Sequence, residues 1–314
     1  MEQLILLEGD ITPMEPQSRK DIPLGDQYRY QVKWDGVRML AFIHEGKVRL
    51  QNRQLRDRTL QYPETTELPS LVNFTQGILD GEMVVLRQGK PSFPSILKRD
   101  LSSRPERIQT LTQTLGAVYF IFDLLYMEGE SLFSCPYEER QRLLRESVQE
   151  NDFLKITDNF QDGEKLFSWV QENGLEGVVA KVRDSPYVSG KKSHHWWKIK
   201  VKHKIMCTIG GFTKKERRIS SLMVGAYLGQ ELLYLGRVGT GLKEEEWRNL
   251  MDYLKTRQIS HSPFTNPPSR TGNIWVQPSL AMWVEFSEWT PELKLRAPSI
   301  KGFTTGEPED CILP

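Results

Sequence analysis

Cysteine is scarce in this chain: Cys135, Cys207 and Cys311 are the only three in 314 residues. They are odd in number, far apart and outside any paired-ligand spacing, which argues against a disulfide framework and a structural zinc site. No apolar run approaches the ~20 residues needed to cross a bilayer, so no membrane span is expected. Residues Met1 to Glu8 include Glu2 and Glu8 where a secretory leader would carry bases. A cytoplasmic, reducing location follows as an expectation. Net charge is missing too: 42 Lys and Arg against 41 Asp and Glu leave +1. Bulk charge therefore does not mark a nucleic-acid binder. No internal repeat or low-complexity tract is evident.

The chain does contain enough apolar and aromatic residues, 38% and 10%, to bury a substantial core, and its length favours two domains. Segments Tyr28–Trp34, Val37–His44 and Lys47–Gln51 read as a three-stranded meander, with Glu45-Gly46 as one turn. Gly77–Leu86, Val118–Leu125, Glu176–Val182 and Trp196–Val201 read as further strands. Pro136–Gln149 and Gly163–Glu172 read as helices. After residue 202 the pattern changes to short strands at Ile205–Phe212, Leu222–Leu228, Leu232–Gly236 and Met282–Phe286, with one helix at Lys243–Lys255 and a Pro- and Ser-rich loop at His261–Gly272. The domains are expected at 1–202 and 203–314. Charge is patterned as well: Lys198, Lys200, Lys202, Lys204, Lys214, Lys215, Arg217 and Arg218 face only Glu216, enough to neutralise several phosphates.

The sharpest local feature is Lys33-Trp34-Asp35-Gly36-Val37-Arg38. A lysine attacks phosphorus only as the neutral amine, so nearby positive charge or desolvation has to favour that form. Arg38, Lys198, Lys200 and a bound metal are candidates for that field. Asp-Gly is also an ordinary hairpin-turn pair, which is the plainer explanation of the hexapeptide alone. Five more segments follow in order: Asn52-Arg53, Asp80-Gly81-Glu82, Phe122-Asp123-Leu124, Glu176 to Lys181, and Trp197-Lys198-Ile199-Lys200. Glu82 and Glu176 are hard oxygen donors suited to Mg²⁺. Lys198 and Lys200, two apart in an extended segment, put both amines on one strand face. Taken singly, Phe122 is a core aromatic, Glu82 part of a turn, and Lys198 with Lys200 the wet face of a strand.

In order and spacing the set resembles the covalent nucleotidyltransferases, the superfamily of ATP-dependent DNA ligases, RNA ligases and mRNA capping enzymes. The resemblance implies that Lys33 becomes joined to AMP and that Arg53 contacts phosphate at a nick. Glu82 is expected to hold ribose or help place metal, and Glu176 to bind metal. Phe122 is expected to stack on the purine, Lys181 to lie in the nucleotide site, and Lys198 and Lys200 to grip phosphates. Asp35 orients or deprotonates. Arg38 would hold the DNA 5′-phosphate together with Arg53.

The segments Tyr234–Leu242, Val284–Pro291 and Leu295–Ser299 are similar to the barrel domain of bacterial end-joining DNA ligases. That similarity implies an α+β protein: a nucleotidyltransferase (adenylation) domain with antiparallel sheets and flanking helices, then an OB-fold barrel. Arg296, with Lys301 as a second candidate, would orient the leaving pyrophosphate; otherwise both are surface charges in a tail with Pro291, Pro298 and Pro308. Gln31 departs from the family, which commonly has glutamate two residues before the nucleophile. The expected cofactors are ATP, carried as AMP on the lysine, and Mg²⁺ or Mn²⁺. The expected partners are nicked or broken duplex DNA and a Ku-type end-binding protein, in a nucleoid-associated monomer. Without segments resembling polymerase, phosphoesterase or DNA-clamping domains, a minimal free-standing ligase core is expected. An RNA ligase or capping enzyme, and a scaffold that has lost its chemistry, are the competing readings.

Overall fold

The computed structural model describes residue 7 and residues 9–313 except 217, 270 and 291. Arg217, Pro291 and the acids at the start of the chain thus lie outside the described residues. The chain divides into two compact units between Val201 and Lys202.

The first unit is built from two sheets with helices outside each. In the larger sheet, Lys47–Asn52, Val37–His44, Gln76–Arg87 and Ala117–Met127 run antiparallel in that order, and Leu154–Ile156 adds in parallel. The smaller sheet orders Glu15–Ser18, Lys192–Lys200, Gly177–Val182 and Tyr28–Lys33, with only the first pair parallel. Alternation along each strand sorts the side chains between faces. On Val37–His44, Met39, Ala41 and Ile43 pack toward the cluster that holds Ile96 and Leu144 of the outer helices. Leu40 and Phe42 instead pack with Trp196 and Val179 of the smaller sheet, filling the space between sheets. The far face of the smaller sheet buries Tyr30, Val178, Ala180 and Ile199 against Leu166 and Val170 of helix Gly163–Glu172. Asp162 starts that helix by accepting a hydrogen bond from the Lys165 N–H at 2.9 Å.

The expected meander is not formed. Tyr28–Lys33 pairs with Gly177–Val182 in the smaller sheet, whereas Val37–His44 belongs to the larger one. Asp35-Gly36 is therefore a crossing between sheets rather than a hairpin. Gly36 is required there because a Cβ would sit 2.2 Å from the Met83 carbonyl oxygen. Asp80-Gly81-Glu82 is likewise no turn but the middle of the twelve-residue strand Gln76–Arg87, where a Cβ on Gly81 would strike the Tyr119 ring at 2.5 Å.

The second unit is a small barrel of the OB type. Its long strand His203–Lys215 pairs with Arg218–Leu228 and with both Asn273–Val276 and Ala281–Phe286. Glu231–Val238 pairs with Arg218–Leu228, and the Leu295 N–H donates to the Leu235 carbonyl at 2.8 Å, tying the late segment to that strand. Helix Glu244–Lys255 seats Leu250, Met251 and Leu254 on this core; its acidic first turn and Lys255 match the helix dipole. The supposed tail is part of the barrel: Lys301 lies in strand Ser299–Thr304, paired with Ala281–Phe286.

Candidate active site

The same alternation that fills the interior leaves a cleft of about 510 Å³ at one end of the two sheets in the first unit, within the range of small-ligand sites. Gln31, Lys33, Val179, Lys181, Trp196 and Lys198 line it from the smaller sheet. Arg38, Glu82 and Phe122 line it from the larger sheet, and Trp34 to Gly36 form the crossing between. The six segments singled out in the sequence thus converge, with Glu176 and Lys200 meeting Lys33 beside the cleft lining.

Lys33 Nζ lies 2.6 Å from Glu176 Oε2, and Lys200 Nζ lies 2.5 Å from Glu176 Oε1. Burial works against ionisation of Glu176, but the charge of Lys33 and hydrogen bonds from Lys200 and Lys33 hold its carboxyl below the usual range. Lys198 moves the other way: burial, then repulsion from Lys33 and Lys200, lowers its pKa. A phosphate chain would meet this set of cations at once.

Glu82 is different. No cation lies within ion-pair distance of its carboxylate among the described residues, and burial pushes its pKa up to about 8 despite Lys33 and Arg38 nearby. An unpaired, desolvated carboxylate near Glu176 suits a hard cation. Among the described residues no group of three or more His, Cys, Asp or Glu forms a metal cage. Two carboxylates fit Mg²⁺, which completes its shell with waters and substrate phosphates. The Glu82 proton also couples to stability. A carboxyl near 4.5 unfolded and about 8 folded stabilises fully below the lower value, and this contribution is lost as pH rises through the upper one. Glu82→Gln is therefore expected to raise the unfolding temperature by roughly 5 °C at about pH 9 and hardly at all near pH 4. Thermal melts across that range check it, and a pH-independent difference would contradict it.

Arg38 is committed within the protein. Its Nε and Nη2 donate to Asp80 at 2.9 and 2.5 Å, Nη1 to the Met14 carbonyl at 2.5 Å, and Nη2 also to the Tyr187 hydroxyl at 3.1 Å. The Tyr187 hydroxyl itself donates to Asp80 at 2.8 Å and accepts from the Met14 N–H at 3.0 Å. Arg38 thus forms a fixed corner of the cleft. Arg53 is presented outward: its side chain is 64% exposed and its Nε is 3.3 Å from Glu15. Its loop is shaped by Asn52, whose Oδ1 accepts from the Gln54 and Arg56 N–H groups.

Phe122 is flanked by two cations, Arg38 at 5.3 Å and Lys181 at 4.5 Å from its centroid. Lys181 donates to the Phe122 carbonyl at 3.2 Å, and burial brings its pKa down to about 7. The Gln141 amide donates to the same carbonyl at 2.9 Å. Gln31 is buried and gives one N–H of its Nε2 to the Thr157 carbonyl at 3.0 Å, so its oxygen and its second N–H are what it has left to offer a ligand.

Sequence reasoning missed the anchors Tyr187, Gln141 and Thr157, which contact the site across long stretches of chain. It also missed helices Phe93–Asp100 and Pro105–Thr114; Phe93 and Leu97 close one side of the cleft. Ser92 before Pro94, and Pro105 itself, were the available start signals. In the second unit, Arg296 pairs with Glu288 and Lys301 with Glu285 at 3.0 Å. Lys204, Lys214, Lys215 and Arg218 of the basic run belong to that unit's first hairpin.

A lysine facing a carboxylate and further lysines, beside a cleft with an aromatic wall, is the arrangement a covalent nucleotidyl-transfer site requires. The family profile described as ATP dependent DNA ligase domain matches residues 17–200, and that described as ATP dependent DNA ligase C terminal region matches residues 215–305. The chain belongs to the ATP-dependent DNA ligases. It is 36% identical over 285 residues to the multifunctional non-homologous end joining DNA repair protein LigD of Mycobacterium tuberculosis, spanning 88% of this chain but only 36% of that protein. The crystal structure of the ligase domain of M. tuberculosis LigD superposes with a TM-score of 0.55 at 32% identity, covering 97% of this chain and 98% of that one. Mycobacterial DNA ligase D complexed with ATP and MES gives 0.54 at 33% identity, covering 96% and 98%. No helix among the described residues is long and apolar enough to cross a membrane.

Proposed function

We propose that this chain seals breaks in DNA through an AMP carried on Lys33, and that it serves in the repair or joining of broken ends. The neutral Lys33 amine attacks the α-phosphorus of ATP and pyrophosphate leaves. The AMP then passes to the 5′-phosphate at a nick, and the 3′-hydroxyl attacks that phosphate to close the strand and release AMP. The observation that carries this reading is the convergence of Lys33, Lys198, Lys200 and Glu176 opposite the Phe122 ring.

In this reading Lys198 and Lys200 draw in the phosphates, and charge stabilisation supplies most of the catalysis. Phe122 stacks on the purine. Arg53 takes the 5′-phosphate, while Arg38 holds the corner in place through Asp80. Asp35 orients or deprotonates Lys33. Glu82 and Glu176 would hold Mg²⁺, or Mn²⁺ in its place, and the ion when bound offsets phosphate charge. Arg296, or Lys301, orients pyrophosphate. The chain acts as a nucleoid-associated cytoplasmic monomer on nicked or broken duplex DNA, recruited by a Ku-type end-binding protein.

The test is incubation with Mg²⁺ and α-labelled ATP or GTP, followed by nicked duplex. Label from ATP and a sealed strand are expected. Label from GTP alone would favour a capping enzyme, and none from either a scaffold without chemistry. Gln31 sharpens the expectation, because its oxygen, on the amide whose Nε2 is held by the Thr157 carbonyl, is an acceptor suited to the exocyclic amine of adenine. Gln31→Ala is expected to lower the ATP-over-GTP preference in adduct formation by about tenfold. Retention of the full preference would remove Gln31 from base selection.

A further inference from the structure

We infer that Thr157, which lies outside every motif, is a positioning residue that sets the aim of the nucleophile. Lys33 sits between two residues that Thr157 holds. The Thr157 carbonyl accepts from Gln31 Nε2 at 3.0 Å, and its hydroxyl oxygen accepts from the Trp34 indole N–H at 3.2 Å. Its own N–H donates to the Ile121 carbonyl at 2.8 Å, so Thr157 is fastened to a central strand of the larger sheet. Gln31 and Lys33 belong to the smaller sheet. Three residues on, Phe160 exchanges both main-chain hydrogen bonds with Tyr30 at 2.8 and 2.9 Å. The segment from Thr157 to Phe160 therefore bridges the two sheets at the point where the nucleophile leaves one of them. Thr157 is buried, and the Trp34 ring is further clamped by stacking on Phe120, centroids 3.9 Å apart at 19°.

The consequence concerns aim rather than affinity. Trp34 begins the crossing to Gly36, where the chain has no regular pairing to fix it. The indole N–H bond to Thr157 and the Phe120 stack take over that task. Loss of the bond frees Lys33 to leave the line of attack while the cleft that binds the nucleotide stays as it is. Rates of this kind fall steeply with small misplacements.

This inference rests on the reading of Lys33 as the residue that takes AMP, and a double-mutant cycle tests it. Single-turnover adduct formation from ATP is measured for the full chain and for Thr157→Val, Thr157→Ser, Trp34→Phe and the Thr157→Val/Trp34→Phe pair, with thermal unfolding of each. Thr157→Val keeps the shape without the hydroxyl, and Trp34→Phe keeps an aromatic ring without the N–H. Each is expected to slow the step by about tenfold at saturating ATP, the scale of one neutral hydrogen bond, with the half-saturating ATP concentration nearly unchanged. The pair should be no slower than either single variant, because both remove the same bond. Thr157→Ser should restore the rate. A normal rate in Thr157→Val, multiplication of the two effects in the pair, or no rescue by serine would overturn the assignment. If the unsubstituted chain took no label, the Lys33 reading itself would fall, and this inference with it.

Discussion

Lys33→Ala loses all covalent label from ATP and all sealing of an ordinary nick, yet folds and melts as the parent does. Chemistry depends on one amine, because no neighbouring lysine is in its place: Lys198 and Lys200 come from the strand Lys192–Lys200 and Lys33 from Tyr28–Lys33. Stability is spared because Glu176 keeps its 2.5 Å pair with Lys200 when Lys33 is gone, so no buried carboxylate is left unpaired. A nick already carrying AMP on its 5′-phosphate bypasses the first two steps, so the variant should still close it. Labelling gels and melts check the first statement, and the activated nick checks the second. A labelled Lys33→Ala protein would show that the wrong nucleophile has been named.

The largest expected loss of stability lies behind Phe122 and not in the cleft. Arg140 and Asp123 are both fully buried, and their two hydrogen bonds measure 2.7 and 3.0 Å. Arg140 Nη1 also donates to the Cys135 and Ser185 carbonyls at 2.6 and 3.1 Å. Arg140→Met leaves Asp123 as a buried, unpaired charge, at a cost of about 3–5 kcal/mol. Replacing both, as Arg140→Met with Asp123→Leu, removes the orphaned charge and is expected to recover a substantial part of that loss. Denaturant unfolding of the two singles and the double measures the difference. Equal instability in double and single would mean that the carbonyl bonds, not the ion pair, matter. Asp123 directly follows Phe122, so this pair also fixes the strand that presents the Phe122 ring to the cleft.

Much of the site was legible from residue order. Lys33, Glu82, Glu176, Lys198 and Lys200 each allow a bland reading, and their sequence as a set restricted the choice. The strand period of two then correctly put Lys198 and Lys200 on one face, opposite Ile199 in the buried cluster. What remained hidden was set by partners far away in the chain. Asp-Gly after Lys33 has the same local signature whether it closes a hairpin or crosses between sheets. The difference lies in Met83, whose carbonyl leaves no room beside Gly36. Arg38 looked like a free phosphate ligand because Asp80, 42 positions on, and Tyr187, 149 positions on, give no local sign of claiming it. Thr157 was invisible for a further reason: half of what it does is done by its main-chain carbonyl, which every residue type possesses. The strand Ser299–Thr304 was obscured by the prolines around it, since pairing with Ala281–Phe286 is a tertiary fact.

The most direct measurement is to locate the nucleotide on the protein. After incubation with ATP and Mg²⁺, proteolysis and mass spectrometry should find AMP on the peptide that contains Lys33, with fragment ions assigning it to that side chain. AMP on Lys198 or Lys200 instead would contradict the account.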